Sequence, residues 1–147
     1  MVQGSDGAKG MVLSCAERAV NNAFTAVRQT DSPYIHMDGQ EVYKFATKQV
    51  PACIQEALDK ADLAADDVDW FLLHQANVRI IESGAKRLKV DIARFPMNIH
   101  RIGNMSSATI PVLLDEQNRS GSIREGDRLV LSGFGAGLTY GASILVW

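Results

Sequence analysis

Apolar positions along this chain change their spacing several times, and each change predicts an element. Trp70-Phe71-Leu72-Leu73 is a short apolar run that stops abruptly at His74. With Val68 at its head it reads as a buried strand over 68–73. After the polar turn Gln75-Ala76-Asn77, residues Ile80, Ile81, Gly84, Ala85 and Leu88 share one face of a helix running from Asn77 to Leu88. His74 is therefore expected at the carboxyl end of a strand, where open α/β sheets bind their ligands. On position alone it reads equally as a core histidine bonded to a backbone carbonyl.

The same spacing rules order the rest of the chain. Gly4 to Gly10 is polar and glycine-rich, hence a loop, and Met11-Val12-Leu13 suggests a short strand. Ala16 to Arg28 has mixed helical character, ended by Asp31-Ser32-Pro33. Val42, Phe45, Ala46, Val50, Ile54, Ala57, Leu58 and Ala61 recur at helical spacing from Gln40 to Ala61. Pro51 lacks a backbone donor and is expected to kink or split that helix. Asp66-Asp67 marks a turn, Val90 to Pro96 a loop, and Ile99 with Ile102 a second short buried strand. Ser106 to Gln117 reads as a helix capped by Ser106 or Ser107. Ala108, Ile110, Val112, Leu113 and Leu114 cover almost its whole circumference, so it is expected to be buried on every side. Leu129 to Leu131 and Ser143 to Trp147 close the chain as a hairpin-like pair around a glycine-rich turn.

Composition narrows the class without naming a function. At 147 residues, 46% hydrophobic and 22% charged, the chain has the length and composition of one ordinary globular domain. A net charge of −2 gives no general attraction to nucleic acid or anionic membrane. No apolar run approaches the roughly 20 residues of a membrane span. The N-terminus has neither a signal peptide's apolar core nor an Arg-rich transit pattern. Two widely separated cysteines, Cys15 and Cys53, fit reduced thiols in an intracellular compartment. No cofactor and no metal site are expected.

Three motifs carry the chemistry: His74-Gln75-Ala76-Asn77, Gly103-Asn104-Met105-Ser106-Ser107, and Gly133-Phe134-Gly135-Ala136-Gly137 running into Leu138-Thr139-Tyr140-Gly141. His74 and Asn104 are both expected at strand ends, and both side chains can donate a hydrogen bond. In this order and spacing the motifs resemble the C-terminal half of ketoacyl-acyl-carrier-protein synthase III, of the thiolase superfamily, from about Tyr34 onward. The resemblance implies half of a thiolase-like α/β fold, a mixed sheet packed with helices, in which the 106–117 helix sits between two sheets. Residues 1–33 would be a junction segment and 34–147 the C-terminal domain.

The resemblance also implies roles. His74 and Asn104 match the histidine and asparagine of a Cys-His-Asn triad. Ala136 matches a backbone donor of the oxyanion hole, and Phe134 a residue lining the acyl pocket. Met37, Gly39, Tyr43 and Asn77 match positions along the CoA and pantetheine tunnel, although ordinary packing accounts for Met37 and Tyr43 nearly as well. Arg79, Lys86 and Arg87 share a helix face, which by spacing alone is a solvated surface. With Lys44, they match basic positions on which the family docks its acidic carrier protein. The triad's cysteine belongs to the family's N-terminal half, and neither Cys15 nor Cys53 matches it; both read as structural thiols.

A second catalytic cysteine near the glycine turn would mark a degradative thiolase, and none is present. Asn104 stands where elongating synthases have a second histidine, and Gln-Ala-Asn replaces the Gly-Gly-Pro of plant-type polyketide synthases. The function implied is the C-terminal half of an initiating condensing enzyme. It would join an acyl-CoA starter, expected to be acetyl-CoA, to malonyl-acyl-carrier protein with loss of carbon dioxide. The alternative is a non-catalytic half-domain that binds carrier protein or pairs with a homologous chain. Expected partners are acyl carrier protein, an N-terminal half carrying the cysteine, and a second copy in a homodimer. The expected location is bacterial cytoplasm or plastid stroma.

Overall fold

The computed structural model describes residues 1–15, 24 and 34–147. The expected helix at Ala16 to Arg28 lies outside the described residues, apart from Phe24. Four strands form the main sheet: β1 (Val2–Ser5), β4 (Trp70–Leu73), β5 (Arg128–Gly135) and β6 (Thr139–Val146), in the order β1-β6-β5-β4. β4 and β5 run parallel, while β5–β6 and β1–β6 are antiparallel. Two further strands, β2 (Leu13–Cys15) and β3 (Ile35–Met37), pair antiparallel as a separate ribbon.

Alternation along β4 explains how helices cover both faces of the sheet. Phe71 and Leu73 point to one side, into a core built with α1 (Gly39–Lys60) and α2 (Val78–Leu88) through Val50, Cys53, Ile54, Leu58, Ile81 and Ala85. Leu72 points to the other side, where it meets Leu129 of β5 and Leu113 of α4 (Thr109–Arg119). A strand buried on both faces must be apolar throughout, which is why Trp70 to Leu73 shows no polar alternation.

Capping chemistry sets the helix starts. The Asp38 carboxylate accepts from the backbone N–H groups of Gln40 and Glu41 at 3.1 and 3.0 Å, opening α1. Asn77 Oδ1 accepts from Arg79 N–H at 2.9 Å, opening α2. α1 runs unbroken for 22 residues through Pro51, so the expected split does not occur. Val50, Cys53 and Ile54 flank the proline and pack into one core, and that burial offsets the lost backbone bond.

Other expectations need correction. The predicted loop at Gly4 to Gly10 contains the end of β1 and a 3₁₀ turn (Gly7–Val12), because β6 offers β1 a free edge to pair with. The strand expected at Met11 to Leu13 begins only at Leu13. Ile99 and Ile102 lie on a single helical turn, α3 (Ile99–Ile102), not on a strand; a three-residue spacing suits one turn of helix as well as a strand. Neither Ser106 nor Ser107 caps α4 with its side chain, since both are absorbed in a 3₁₀ turn (Ser106–Ala108) and Ala108 takes the cap position. Finally, only Thr109 and Leu113 of α4 are buried. Ile110, Val112 and Leu114 remain partly exposed because this chain's sheet covers one side of the helix.

Candidate active site

The sheet delivers its polar groups to one end. His74 extends the β4 ladder by one more bond, its N–H donating to Ser132 O at 2.9 Å. The chain then turns sharply into α2, so the imidazole stands at the sheet's edge, where β5 passes into the glycine turn. Gln75, wholly buried, locks this corner. Its amide donates to Leu73 O at 2.8 Å and its Oε1 accepts from Asn98 N–H at 3.3 Å. Asn98 in turn donates to Glu116 on α4 at 2.9 Å. One side chain thus ties the end of β4 to the segment leading into Asn104. Sequence reasoning missed Gln75; a second polar residue in succession after a buried apolar run was the available signal.

Asn104 is aimed by its backbone neighbours. Gly103 closes α3 with φ 68° and ψ −164°, a region essentially reserved for glycine, which accounts for the glycine of the Gly-Asn pair. Asn104 Oδ1 accepts from Ser106 N–H at 2.9 Å. Because an N–H requires an acceptor, that bond fixes the amide orientation and leaves both Nδ2 hydrogens to be offered elsewhere. Asn104 is exposed, so its donor end is open to an incoming group.

The imidazole is held on two sides. Phe134 meets it edge to face, with ring centroids 5.3 Å apart at 77°. Nδ1 lies 2.5 Å from Thr109 Oγ1, on the first residue of α4. Burial holds the ring's pKa below its ordinary 6.5, so at neutral pH it carries one proton and no charge. The unfolded chain therefore takes up this proton more readily than the folded one. The stability linked to the neutral ring is complete above pH 6.5 and is lost as pH falls below 6.5 towards the folded value. An NMR titration of the His74 ring is expected to give a midpoint below 6.5; one at or above it contradicts this account.

His74, Asn104, Phe134, Ala136 and Met37 all line one open cleft of about 1210 Å³. Thr109 and Cys15 line it as well. Cys15 is exposed at the end of β2. Cys53 is a core residue: its thiol donates to Val50 O at 3.3 Å and sits 3.7 Å from Ser132 Oγ, and burial pushes its pKa up. Gly39, Tyr43 and Asn77 lie outside the cleft lining: Gly39 opens α1, Tyr43 follows on the same helix, and Asn77 caps α2. Arg79, Lys86 and Arg87 are exposed on α2 and make no ion pair among the described residues. Lys44, on α1, is held by Glu41 at 2.8 Å.

A neutral imidazole and an amide donor that line one cleft together with the glycine turn suit stabilisation of a developing oxyanion or enolate. No group of three potential metal ligands occurs among the described residues. A family model described as 3-oxoacyl-[acyl-carrier-protein] synthase III C terminal matches residues 58–147. The chain is 41% identical over 143 residues to the β-ketoacyl-[acyl-carrier-protein] synthase III of Clostridium novyi, covering 97% of this chain and 44% of that protein. It is 47% identical over 146 residues to the synthase of the same name from Synechococcus sp. WH7803, covering 97% of this chain and 43% of that protein. In structure it resembles the β-ketoacyl-[acyl carrier protein] synthase III of Thermus thermophilus with a TM-score of 0.87 and 39% identity, covering 99% of this chain and 44% of the other. The chain thus spans less than half the length of these relatives.

Proposed function

The chain belongs to the 3-oxoacyl-[acyl-carrier-protein] synthase III C-terminal family, and from that premise we propose that it supplies the enolate-stabilising half of an initiating condensing site. The observation that carries the reading is the convergence of two neutral donors on one cleft: the His74 imidazole and the Asn104 amide. When a malonyl thioester loses carbon dioxide, negative charge builds on the thioester oxygen. Donors already in place at that oxygen lower the barrier without reorganising. The enolate carbon then attacks an acyl group held as a thioester on a cysteine, forming the new carbon–carbon bond and releasing the thiolate. That cysteine comes from the part of the protein outside these residues, within the same polypeptide or a partner half. Ala136 in the glycine turn offers a backbone N–H to the tetrahedral oxyanion of this second step, and Phe134 lines the acyl pocket. Met37 borders the route of the pantetheine arm, with Gly39, Tyr43 and Asn77 further out along it. No resident cofactor is required, because the substrates acyl-CoA and malonyl-carrier protein bring the whole reaction.

The carrier protein is proposed to dock on α2. Arg79, Lys86 and Arg87 are exposed on α2, and an acidic partner would be steered onto their positive charge. Lys44 on α1 is included in the proposed docking set, with its charge partly answered by Glu41. The natural polypeptide carrying this chain is expected to convert acetyl-CoA and malonyl-carrier protein to a 3-oxoacyl-carrier protein with release of carbon dioxide and CoA. Absence of carbon dioxide release, together with intact carrier binding, overturns the catalytic reading in favour of a binding half-domain. Arg79→Glu with Lys86→Glu is expected to lower kcat/KM for the carrier-borne malonyl group by about tenfold or more, the scale of electrostatic steering. The same pair leaves turnover of malonyl-CoA, which needs no protein docking, within about twofold, since rim charges act mainly on association with the protein partner. The complete enzyme is proposed to be a homodimer.

A further inference from the structure

We propose that Glu116 is a positioning residue for Asn104: its carboxylate closes the loop that carries the Asn104 amide and so fixes the amide's place relative to His74. The inference rests on the enolate-stabilising role of these two donors. Two donors can serve one oxygen only while the distance between them holds, so whatever sets that distance bears on the rate.

Packing does not hold the segment that leads into Asn104. α3 is a single turn, too short to persist by itself in water. None of its four residues is buried, and no side chain caps its start. Beyond Asn104 the loop is tied down where α4 begins: Asn104 Oδ1 accepts from Ser106 N–H, and Ser106 O accepts from the Thr109 hydroxyl at 3.0 Å. The same helix secures the near end. Glu116 lies seven residues past Thr109, about two turns on and therefore on the same face. Its Oε2 accepts from Asn98 Nδ2 at 2.9 Å and from Arg101 Nη2 at 2.8 Å. Asn98 precedes α3 and Arg101 is its third residue, so one oxygen grips the turn near each end. The Gln75 bond to Asn98 N–H fixes a point; the grip at Arg101 adds a direction. Asn98 is 1% exposed, and its Oδ1 has no partner among the described residues. Turning that amide over would set its oxygen against the carboxylate, so Glu116 also decides which way Asn98 faces. The Arg101 side chain is 58% exposed, and its ion pair adds little stability by itself; its part is geometric.

The test reads position and rate separately. In crystal structures of the natural polypeptide, Glu116→Ala is expected to move Asn104 Nδ2 by about 1 Å or more relative to the His74 ring, and Glu116→Gln by less than about 0.5 Å. The glutamine's carbonyl oxygen can take the place of Oε2 and accept both bonds. For carbon dioxide release from a malonyl thioester, Glu116→Ala should lower kcat about tenfold or more with KM changed less than about twofold. Glu116→Gln should restore most of that rate. In an Asn104→Ala background the change to alanine at 116 should cost less than about twofold, because the group it positions is gone. An equal loss in both backgrounds, or an Asn104 that keeps its place in the Glu116→Ala protein, overturns the inference. A displaced Asn104 in a protein whose wild type releases no carbon dioxide leaves the positional assignment standing and overturns the enzymatic reading. Should the alanine variant fail to fold, Arg101→Met removes one of the two bonds at an exposed position. It is expected to shift Asn104 and lower kcat with the same dependence on Asn104; a position and rate unchanged there overturn the inference.

Discussion

Replacing His74 with alanine is expected to lower carbon dioxide release from a malonyl thioester by about 10²–10³-fold, the loss that follows removal of one preorganised oxyanion donor. The effect should fall on kcat, because the donor grips the oxygen more strongly once charge has developed there. Asn104→Ala is expected to do the same. The double variant should lose much less than the product of the two single effects, since both donors serve one oxygen and act as a unit. His74→Gln restores a neutral donor on a different stem and is expected to recover part of the rate. Rates are best measured by release of labelled carbon dioxide from carboxyl-labelled malonyl-carrier protein. A His74→Ala enzyme with a near-normal kcat and a raised KM would assign the residue to binding alone.

The largest expected loss of stability lies directly beneath this site. Phe71 is wholly buried in β4 and stacks on Phe95, with ring centroids 4.7 Å apart and planes at 14°. Phe71→Ala removes that contact and leaves a cavity between β4 and the 3₁₀ turn at Ile92–Arg94, which Phe95 closes. The cost is about 3–5 kcal/mol, a large part of the 5–15 kcal/mol that typically holds a domain together. Denaturant unfolding of the natural polypeptide is the measurement, and a loss under about 1 kcal/mol would contradict the core described here. Phe71→Leu keeps most of the volume and is expected to cost much less.

What could be read from the sequence was what one short stretch encodes by itself. Trp70 to Leu73 followed by His74 specifies a buried strand and its polar end, and Asn77 before an amphipathic run specifies a capped helix. Such features depend on neighbours two to four residues away. The glycine turn was legible for a similar reason, because β5 and β6 need a tight reversal between them. The lengths of β5 and β6 were not legible, since pairing extends into polar and glycine-rich positions that the hydrophobic pattern does not mark. β1 escaped for the same reason: Val2–Ser5 is a strand only because β6 lies beside it.

The parts of the site that sequence missed are those that act across elements. Thr109 looks like an ordinary residue near a helix start until folding places it against an imidazole 35 positions earlier. Gln75 looks like part of a turn until its amide is seen joining β4 to the Asn98 backbone. The short helical turn at Ile99–Ile102 was misread because two isoleucines three apart cannot distinguish one turn of helix from a strand. What settles it is Gly103, whose positive φ ends the turn and aims Asn104.

The shared grip of His74 and Asn104 on one oxygen is tested most directly by a crystal structure of the natural polypeptide with a non-decarboxylating malonyl-pantetheine amide in the cleft. The amide carbonyl oxygen should lie within about 2.7–3.1 Å of both His74 Nε2 and Asn104 Nδ2, the range for an oxyanion donor. A carbonyl bonded to neither, with the malonyl group seated elsewhere in the cleft, would contradict it.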